Sequence, residues 1–181
     1  MKTLIKGGTV VTALETMRAE VMIVDEKVVG LVDGGSELAQ SFGEDANVID
    51  ATDRLVVPGG IDVHTHFESE GQNAPVLDTF ETGTRASAFG GTTTVIDFAP
   101  VPNEGDLAAG IHDFLTPWQG NAYTDYSAHC IYSNRNTPDA ISRYKELLDA
   151  GFPSIKVFTT DIRPPEGRIN SLTPVGKADA G

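Results

Sequence analysis

Short apolar runs alternate with polar, glycine-rich turns over the first third of the chain, a pattern that predicts β-strands. The predicted strands lie at residues 4–11, 20–24, 28–32, 48–51 and 55–57. The charged residues 25–27 separate the second and third runs and predict a β-hairpin. A short helix is predicted only at 36–40. Residues 1–57 therefore form one predicted β-rich domain.

After Pro58 the pattern changes to strands that alternate with helices. The predicted strands lie at 61–64, 92–99, 125–132 and 154–159, and the predicted helices at 78–89, 105–119 and 137–151. Asp78 and Glu81 predict a capping-box-like start for the first helix, and Thr137 followed by Pro138 predicts the start of the third. This βαβαβαβ order predicts an α/β domain with a parallel sheet.

Two architectures fit such a sheet, a doubly wound fold and a (β/α)8 barrel. In both, functional residues lie at the C-terminal ends of the strands. A complete barrel takes about 250 residues, whereas residues 58–181 show four strands. We therefore interpret them as the first half of a barrel and expect the chain to be an N-terminal portion.

His64 and His66 end the first of these strands. Side chains at positions i and i+2 of a strand point to one face, so both imidazoles could bind one metal ion. The alternative is a surface or buried histidine pair without a metal. Asp62 either orients a ligand histidine or caps a turn, and the sequence leaves both readings open.

Lys156 lies inside the apolar run 155–158. In a barrel it would point inward, where an isolated ammonium group is costly. It must be neutralised, paired with an aspartate at the rim, or modified. Reaction with carbon dioxide would give a carbamate, an anionic oxygen ligand that can bridge two divalent metals about 3.5–4 Å apart. Position alone leaves pairing and modification open.

Composition and charge narrow the classes of function. The net charge of −13, from 13 basic and 26 acidic residues, argues against a nucleic-acid or anionic-membrane partner. No apolar run approaches the roughly 20 residues of a membrane span, and the N-terminus lacks the features of a signal peptide. We expect a cytoplasmic protein. The single cysteine, Cys130, is expected to be a buried thiol.

Several motifs together resemble the amidohydrolase superfamily, and more narrowly the dihydropyrimidinase/hydantoinase branch of the cyclic amidohydrolases. The run 57–66, VPGGIDVHTH, resembles the superfamily signature. The narrower likeness lies in four further stretches, at residues 4–11, 78–88, 90–98 and 154–158. The resemblance covers residues 4 to about 160, in the family's order, and is that of an N-terminal portion.

The resemblance implies a small β-sandwich followed by a TIM-like (β/α)8 barrel. It implies that His64 and His66 bind the more buried of two divalent metals, usually zinc, sometimes manganese. Lys156 would be carboxylated and bridge both ions. A bridging hydroxide would then open the ring of a cyclic amide, a hydantoin or dihydropyrimidine, to an N-carbamoyl amino acid. The family is also homo-oligomeric, typically tetrameric.

The same resemblance implies two further histidine ligands and a catalytic aspartate from later strands, beyond residue 181. His112 and His129 do not match those positions, so we expect His112 to face solvent and His129 to be a packed or pocket residue. We expect the 181-residue chain alone to be inactive.

One position departs from the family pattern. Asp161 stands where related enzymes usually carry a tyrosine that stabilises an oxyanion, and a carboxylate cannot donate that hydrogen bond. Either a neighbour such as Arg163 replaces it, or the substrate differs, and Glu68 adds to the difference. Two alternatives stay open: a metal-free homologue with a structural or interaction role, and an amidohydrolase with another substrate such as allantoin or dihydroorotate.

Overall fold

The computed structural model describes residues 1–68, 76–133 and 135–158. The chain divides into two compact units, Met1–Pro58 and Gly59–Gly181. Both contain β-sheet, but helices alternate with strands only in the second.

The first unit contains two sheets and one helix. Its elements are β1 (Lys2–Lys6), β2 (Thr9–Val11), β3 (Thr16–Arg18), β4 (Glu20–Val24), β5 (Lys27–Val32), α1 (Glu37–Gly43), β6 (Asn47–Asp50) and β7 (Leu55–Val56). One sheet has the order β5-β4-β1-β6 and the other the order β3-β2-β7. Strands β4 and β5 pair antiparallel as the predicted hairpin, whereas β3 was not predicted.

Gly7 divides the strand that was predicted over 4–11. Its φ is +80°, and a Cβ atom there would lie 2.7 Å from Oγ1 of Thr52. Only glycine adopts this backbone without strain and also leaves room for the threonine. The chain therefore leaves one sheet after β1 and enters the other at β2, and side chains from both sheets form one hydrophobic cluster that includes Ile5, Val10 and Val21.

The second unit is built around one parallel sheet, as the alternating pattern predicted. Its elements are β8 (Gly60–Asp62), α2 (Phe80–Phe89), β9 (Thr92–Pro100), α3 (Leu107–Leu115), a 3-10 turn (Thr116–Trp118), β10 (Asp125–Tyr132), α4 (Pro138–Ser142), α5 (Tyr144–Asp149) and β11 (Ile155–Val157). The strands pair in the order β8-β9-β10-β11, all parallel. Chain order and spatial order therefore agree.

The helices differ from prediction at their ends. Helix α2 begins with Thr79 as N-cap, and its capping box is completed by Thr82, so the prediction of Asp78 and Glu81 was wrong. The two threonine hydroxyls sit at the N-cap and N3 positions, where they reach the free backbone N–H groups. Thr137 does cap α4, but the helix stops at Ser142 and resumes as α5 after Arg143, whose φ and ψ are −90° and 10°.

Two hydrophobic clusters lie against the parallel sheet. The larger joins β9 and β10 to α3 and α5 through fully buried Leu107, Ile111 and Leu147. The smaller joins Val95 of β9 to Phe80 and Trp118. Among the described residues, no helix is long and apolar enough to cross a membrane.

Candidate metal centre

The segment at residues 63–67 leaves the C-terminal end of β8 and carries the histidine pair. The prediction that the strand continues to His64 was wrong, because β8 ends at Asp62. There the Asp62 carboxylate accepts a hydrogen bond of 3.0 Å from the backbone N–H of His64. Asp62 thus caps a turn, one of the two roles that the sequence left open, and replaces a ladder hydrogen bond with a local one.

The odd-numbered residues of this segment are fixed to the neighbouring strands. The Val63 carbonyl contacts His129 Nε2 at 2.9 Å, and the Thr65 N–H donates to the Ile96 carbonyl at 3.2 Å. The Phe67 N–H donates to Oδ2 of Asp97 at 3.0 Å. Although the segment is not a regular strand, it keeps a two-residue alternation, with odd positions held by the sheet.

The even-numbered residues are the two histidines, and their rings lie side by side. The ring centroids of His64 and His66 are 5.4 Å apart. Each ring also packs on Phe98 of β9, at 4.6 Å for His64 and 4.8 Å for His66. Both imidazoles therefore occupy one side of the sheet, as the i, i+2 spacing predicted.

Lys156 reaches the same aromatic ring from the other edge of the described sheet. It lies on β11, where it pairs with Ile131 of β10. Its Nζ atom is 3.7 Å from the centroid of Phe98 and 5.2 Å from that of Phe158. The side chain is half-buried. The ion pairs found in residues 1–68, 76–133 and 135–158 do not include Lys156.

Burial and nearby charges shift the pKa values of His66 and of the Asp97 carboxyl group beside it. Burial lowers the pKa of His66 below its ordinary value; Lys156 and His64 act in the same direction, and Asp97 opposes them. The neutral imidazole that this favours is the form that binds a metal ion. Burial also raises the pKa of Asp97, against the opposing effect of the Phe67 and Phe98 N–H groups. The Asp97 carboxylate is 4.0 Å from Nδ1 of His66.

The side chains on this side of the sheet could supply some, but not all, of the ligands that a divalent metal needs. His64 and His66 offer imidazole nitrogens, which zinc prefers, and Lys156 would offer carbamate oxygens after carboxylation. Within the described ranges, no three His, Cys, Asp or Glu side chains come together as metal ligands. The two histidines and the lysine fit a centre that takes its other ligands from elsewhere.

The remaining candidates take other positions. His112 is exposed on α3, with its ring 5.1 Å from that of Phe152, and His129 is a packed residue of β10, as expected. Cys130 is a fully buried thiol. Glu68 accepts a hydrogen bond of 3.1 Å from the Phe80 N–H at the start of α2. Asp161 and Arg163 lie outside the described residues.

Sequence reasoning missed Phe98 and Asp97. Phe98 contacts all three predicted ligands, and Asp97 holds the histidine segment through Phe67. The available signal was their place near the C-terminal end of a buried parallel strand, next to the strand that precedes the histidine pair. A carboxylate in such a strand is itself informative, because it needs hydrogen-bond donors nearby.

Comparison with known proteins agrees with the sequence motifs. The chain is 40% identical over 157 residues to a D-hydantoinase of Streptomyces coelicolor, a match that covers 87% of this chain and 33% of the relative. It is 34% identical over 160 residues to a dihydropyrimidinase of Dictyostelium discoideum, covering 86% and 30%. The crystal structure of the dihydropyrimidinase from Brevibacillus agri matches with a TM-score of 0.70 and 37% identity, covering 82% and 31%. No protein-family model matches the sequence.

These relatives share a class of fold with this chain, a mixed α/β structure with a parallel sheet. The chain belongs to the cyclic amidohydrolase family that contains the D-hydantoinases and dihydropyrimidinases, and the resemblance of its motifs is thereby confirmed. The chain spans about a third of the length of the curated relatives it matches.

Proposed function

We propose that this protein is a metal-dependent hydrolase that opens cyclic amides, such as hydantoins and dihydropyrimidines, to N-carbamoyl amino acids. One observation carries the proposal. His64, His66 and Lys156 come from segments about 90 residues apart and meet around a single ring, that of Phe98. The family relation indicates the class of reaction. The cluster of these three side chains around Phe98 supports a site for that reaction at this end of the sheet.

The fold that we propose for residues 58–181 is the first half of a (β/α)8 barrel, preceded by a β-sandwich domain at 1–57. The order of the parallel strands supports the barrel. A doubly wound sheet reverses its strand order at a switch point, whereas β8, β9, β10 and β11 follow one another in chain order. The single hydrophobic cluster shared by the two sheets of the first unit supports the sandwich.

In the proposed centre, His64 and His66 would hold a divalent ion, which we expect to be zinc, and Lys156, once carboxylated, would serve as the bridging ligand to a second ion. The metals would activate the attacking water and polarise the ring carbonyl. The sheet holds the two imidazoles in place through the odd-numbered residues around them. The Nζ atom of Lys156 lies over the ring of Phe98, on which both imidazoles also pack.

Turnover of cyclic amides with metal analysis tests the proposal. The protein, in the length in which its source expresses it, should hydrolyse at least one of dihydrouracil, hydantoin, allantoin and dihydroorotate. His64→Asn and His66→Asn should each lower the bound metal and lower kcat/KM by at least about 100-fold, since each removes a ligand. His112→Asn is the matched control, because His112 is exposed on α3. A fully metal-loaded protein that turns over none of the four substrates would favour the metal-free, non-catalytic alternative.

The state of Lys156 has its own test. Protein prepared with 13C-bicarbonate should show a carbamate carbon in its 13C spectrum, and Lys156→Met should lose that signal together with one bridging ligand. Lys145→Met is the control, since Lys145 is an exposed lysine paired with Asp149. A spectrum that is identical in the wild type and in Lys156→Met would contradict the carboxylation. Homo-oligomeric assembly and a cytoplasmic location also remain predictions.

A further inference from the structure

His129 is the one histidine of β10, and both of its ring nitrogens are engaged. Nε2 lies 2.9 Å from the Val63 carbonyl oxygen, and Nδ1 lies 2.6 Å from Oγ of Ser154. A carbonyl oxygen only accepts, so Nε2 must carry the proton that it donates. In the neutral ring, Nδ1 then accepts from the Ser154 hydroxyl. The two partners thus select one tautomer.

These two partners belong to the two segments that carry the proposed ligands. Val63 directly precedes His64, and Ser154 lies two residues before Lys156. The backbone around Ser154 already follows the sheet, because its carbonyl accepts from the Cys130 N–H at 3.0 Å. Side chains two positions apart share a face, so Ser154 and Lys156 are on the same side of the sheet as the His129 ring. One imidazole therefore spans the distance between both ligand-bearing segments.

The Val63 contact differs from the other two contacts that fix the histidine segment. Thr65 and Phe67 are fixed by backbone and carboxylate acceptors on β9, the strand next to β8. The Val63 carbonyl is fixed by a side chain from β10, one strand further away. The ring of His129 packs at 5.2 Å on Phe98, the residue on which His64 and His66 also rest.

We propose that His129 is a positioning residue that ties the His64–His66 segment to the Lys156 strand and so sets the separation between the proposed ligands; this role rests on the metal centre proposed above. It binds neither metal nor substrate. Its contribution is the pair of hydrogen bonds to Val63 and Ser154, which a ring of the same shape without nitrogens cannot make. Partners that orient ligands in this way are commonly worth a factor of about 10–100 in metal affinity.

The first test is amide hydrogen exchange, which requires no metal. In His129→Phe, the Thr65 and Phe67 amides should exchange at least about tenfold faster than in the wild type, in line with the loss of one or two hydrogen bonds. Exchange within the β9–β10 ladder should change much less. His112→Phe is the matched control, with the same substitution at an exposed histidine of α3, and should leave Thr65 and Phe67 unchanged.

Two further variants separate positioning from the filling of space. His129→Gln keeps an amide that can donate to the Val63 carbonyl and should recover most of the protection, and it remains informative if His129→Phe does not fold. Ser154→Ala keeps the ring and removes only its second partner. The wild type should show a single Nε2-protonated tautomer in 15N-histidine spectra, and Ser154→Ala should shift the Nδ1 signal.

Zinc titration by calorimetry tests whether the positioning role of His129 affects the proposed metal centre. His129→Phe should weaken zinc binding by about tenfold or more, and His112→Phe should not. Unchanged exchange and unchanged zinc affinity in His129→Phe would overturn the proposal. Equal losses across the whole sheet in both His129→Phe and His129→Gln would overturn it too. If the wild type, in the length in which its source expresses it, fails to bind zinc, that result would contradict the proposed function instead, and exchange at Thr65 and Phe67 would still decide the role of His129.

Discussion

At the scale of single residues, the histidine segment depends on a glycine that is distant in sequence. Phe67 directly follows His66 and inserts its ring near Phe80 and Trp118. It reaches that position because Gly83 of α2 has no side chain. A Cβ atom at Gly83 would lie 2.1 Å from Cε1 of Phe67, far inside any real contact distance. The position of the Phe67 ring, next to His66, therefore depends on the absence of a Cβ atom at Gly83 of α2.

Gly83→Ala should therefore destabilise the protein although alanine is the better helix former. Alanine gains about 1 kcal/mol in helix propensity, but overpacking of this kind costs about 1–3 kcal/mol, and here the ring sits between helix and core. Urea unfolding should show a net loss in Gly83→Ala. In a Phe67→Ala background the same substitution should be neutral or stabilising, because the clash is gone. Stabilisation by Gly83→Ala alone would show that Phe67 does not pack there.

Cys130 gives a prediction about pH. Burial raises the pKa of its thiol from the ordinary value of 9.0 to about 11. The unfolded chain therefore releases this proton at lower pH than the folded one, so the thiol's contribution to stability is complete below pH 9.0 and is lost as the pH rises through about 11. The slope between these values is at most about 1.4 kcal/mol per pH unit.

Thiolate absorbance measured against pH checks this directly. In the folded wild type the absorbance should rise with a midpoint near 11, and urea should move the midpoint down toward the value of a free thiol. Cys130→Ala provides the baseline, since it has no other thiol. A folded-state midpoint at or below that of the unfolded protein would mean that Cys130 is not buried as β10 places it.

At the scale of elements, the N-cap of α2 is Thr79, and substitutions at Thr79 and Asp78 can test this assignment. Thr79 accepts from the Thr82 N–H at 3.1 Å, while the Thr82 hydroxyl accepts from the Thr79 N–H at 3.0 Å. Thr79→Ala should cost about 1 kcal/mol in the free energy of unfolding. Asp78→Ala is the control one residue earlier and should change stability by less than about 0.5 kcal/mol. The reverse order in thermal unfolding would restore Asp78 as the cap.

The elements show where sequence alone was sufficient. The β-branched run before Asp97 and the Thr137–Pro138 pair act locally, so strand β9 and the start of α4 were predicted correctly. The end of β8 was not, because it depends on whether the Asp62 carboxylate takes the His64 N–H from the sheet ladder. For α2, two adjacent polar residues could each serve as N-cap, and the pattern does not distinguish a one-residue shift.

For the candidate site, the sequence suggests candidate ligands but not the residues that support them. The histidine pair was selected because two imidazoles at a predicted strand end are unusual, and Lys156 because a lysine is unusual inside an apolar strand. Phe98 and His129 have no such local signal, since an aromatic residue or a lone histidine in an apolar strand usually only fills the core. Their roles arise from contacts between residues that are 25 to 66 positions apart. Such contacts become visible only once the order of the parallel strands is known.

At the scale of the whole molecule, the net charge of −13 predicts how stability depends on salt. Like charges repel most in the compact folded state, so excess negative charge destabilises it. Surface ion pairs act in the opposite sense, but each is worth only about 0–1 kcal/mol. In the described part of the chain they are mostly exposed: Met1–Asp25, Lys2–Asp45, Arg143–Glu146 and Lys145–Asp149.

Screening should therefore remove more repulsion than attraction. Raising sodium chloride from about 0.01 M to about 0.15 M shortens the Debye length from about 30 Å to about 8 Å, and the melting temperature at pH 7 should rise. The same titration near the isoelectric point of about 4.5 should give a smaller rise or a fall, because the excess charge is then absent and only the pairs are screened. Sodium chloride is preferred to divalent salts, which could bind at the candidate metal centre and stabilise the folded state by mass action. A fall in melting temperature at pH 7 would show that the ion pairs outweigh the net charge.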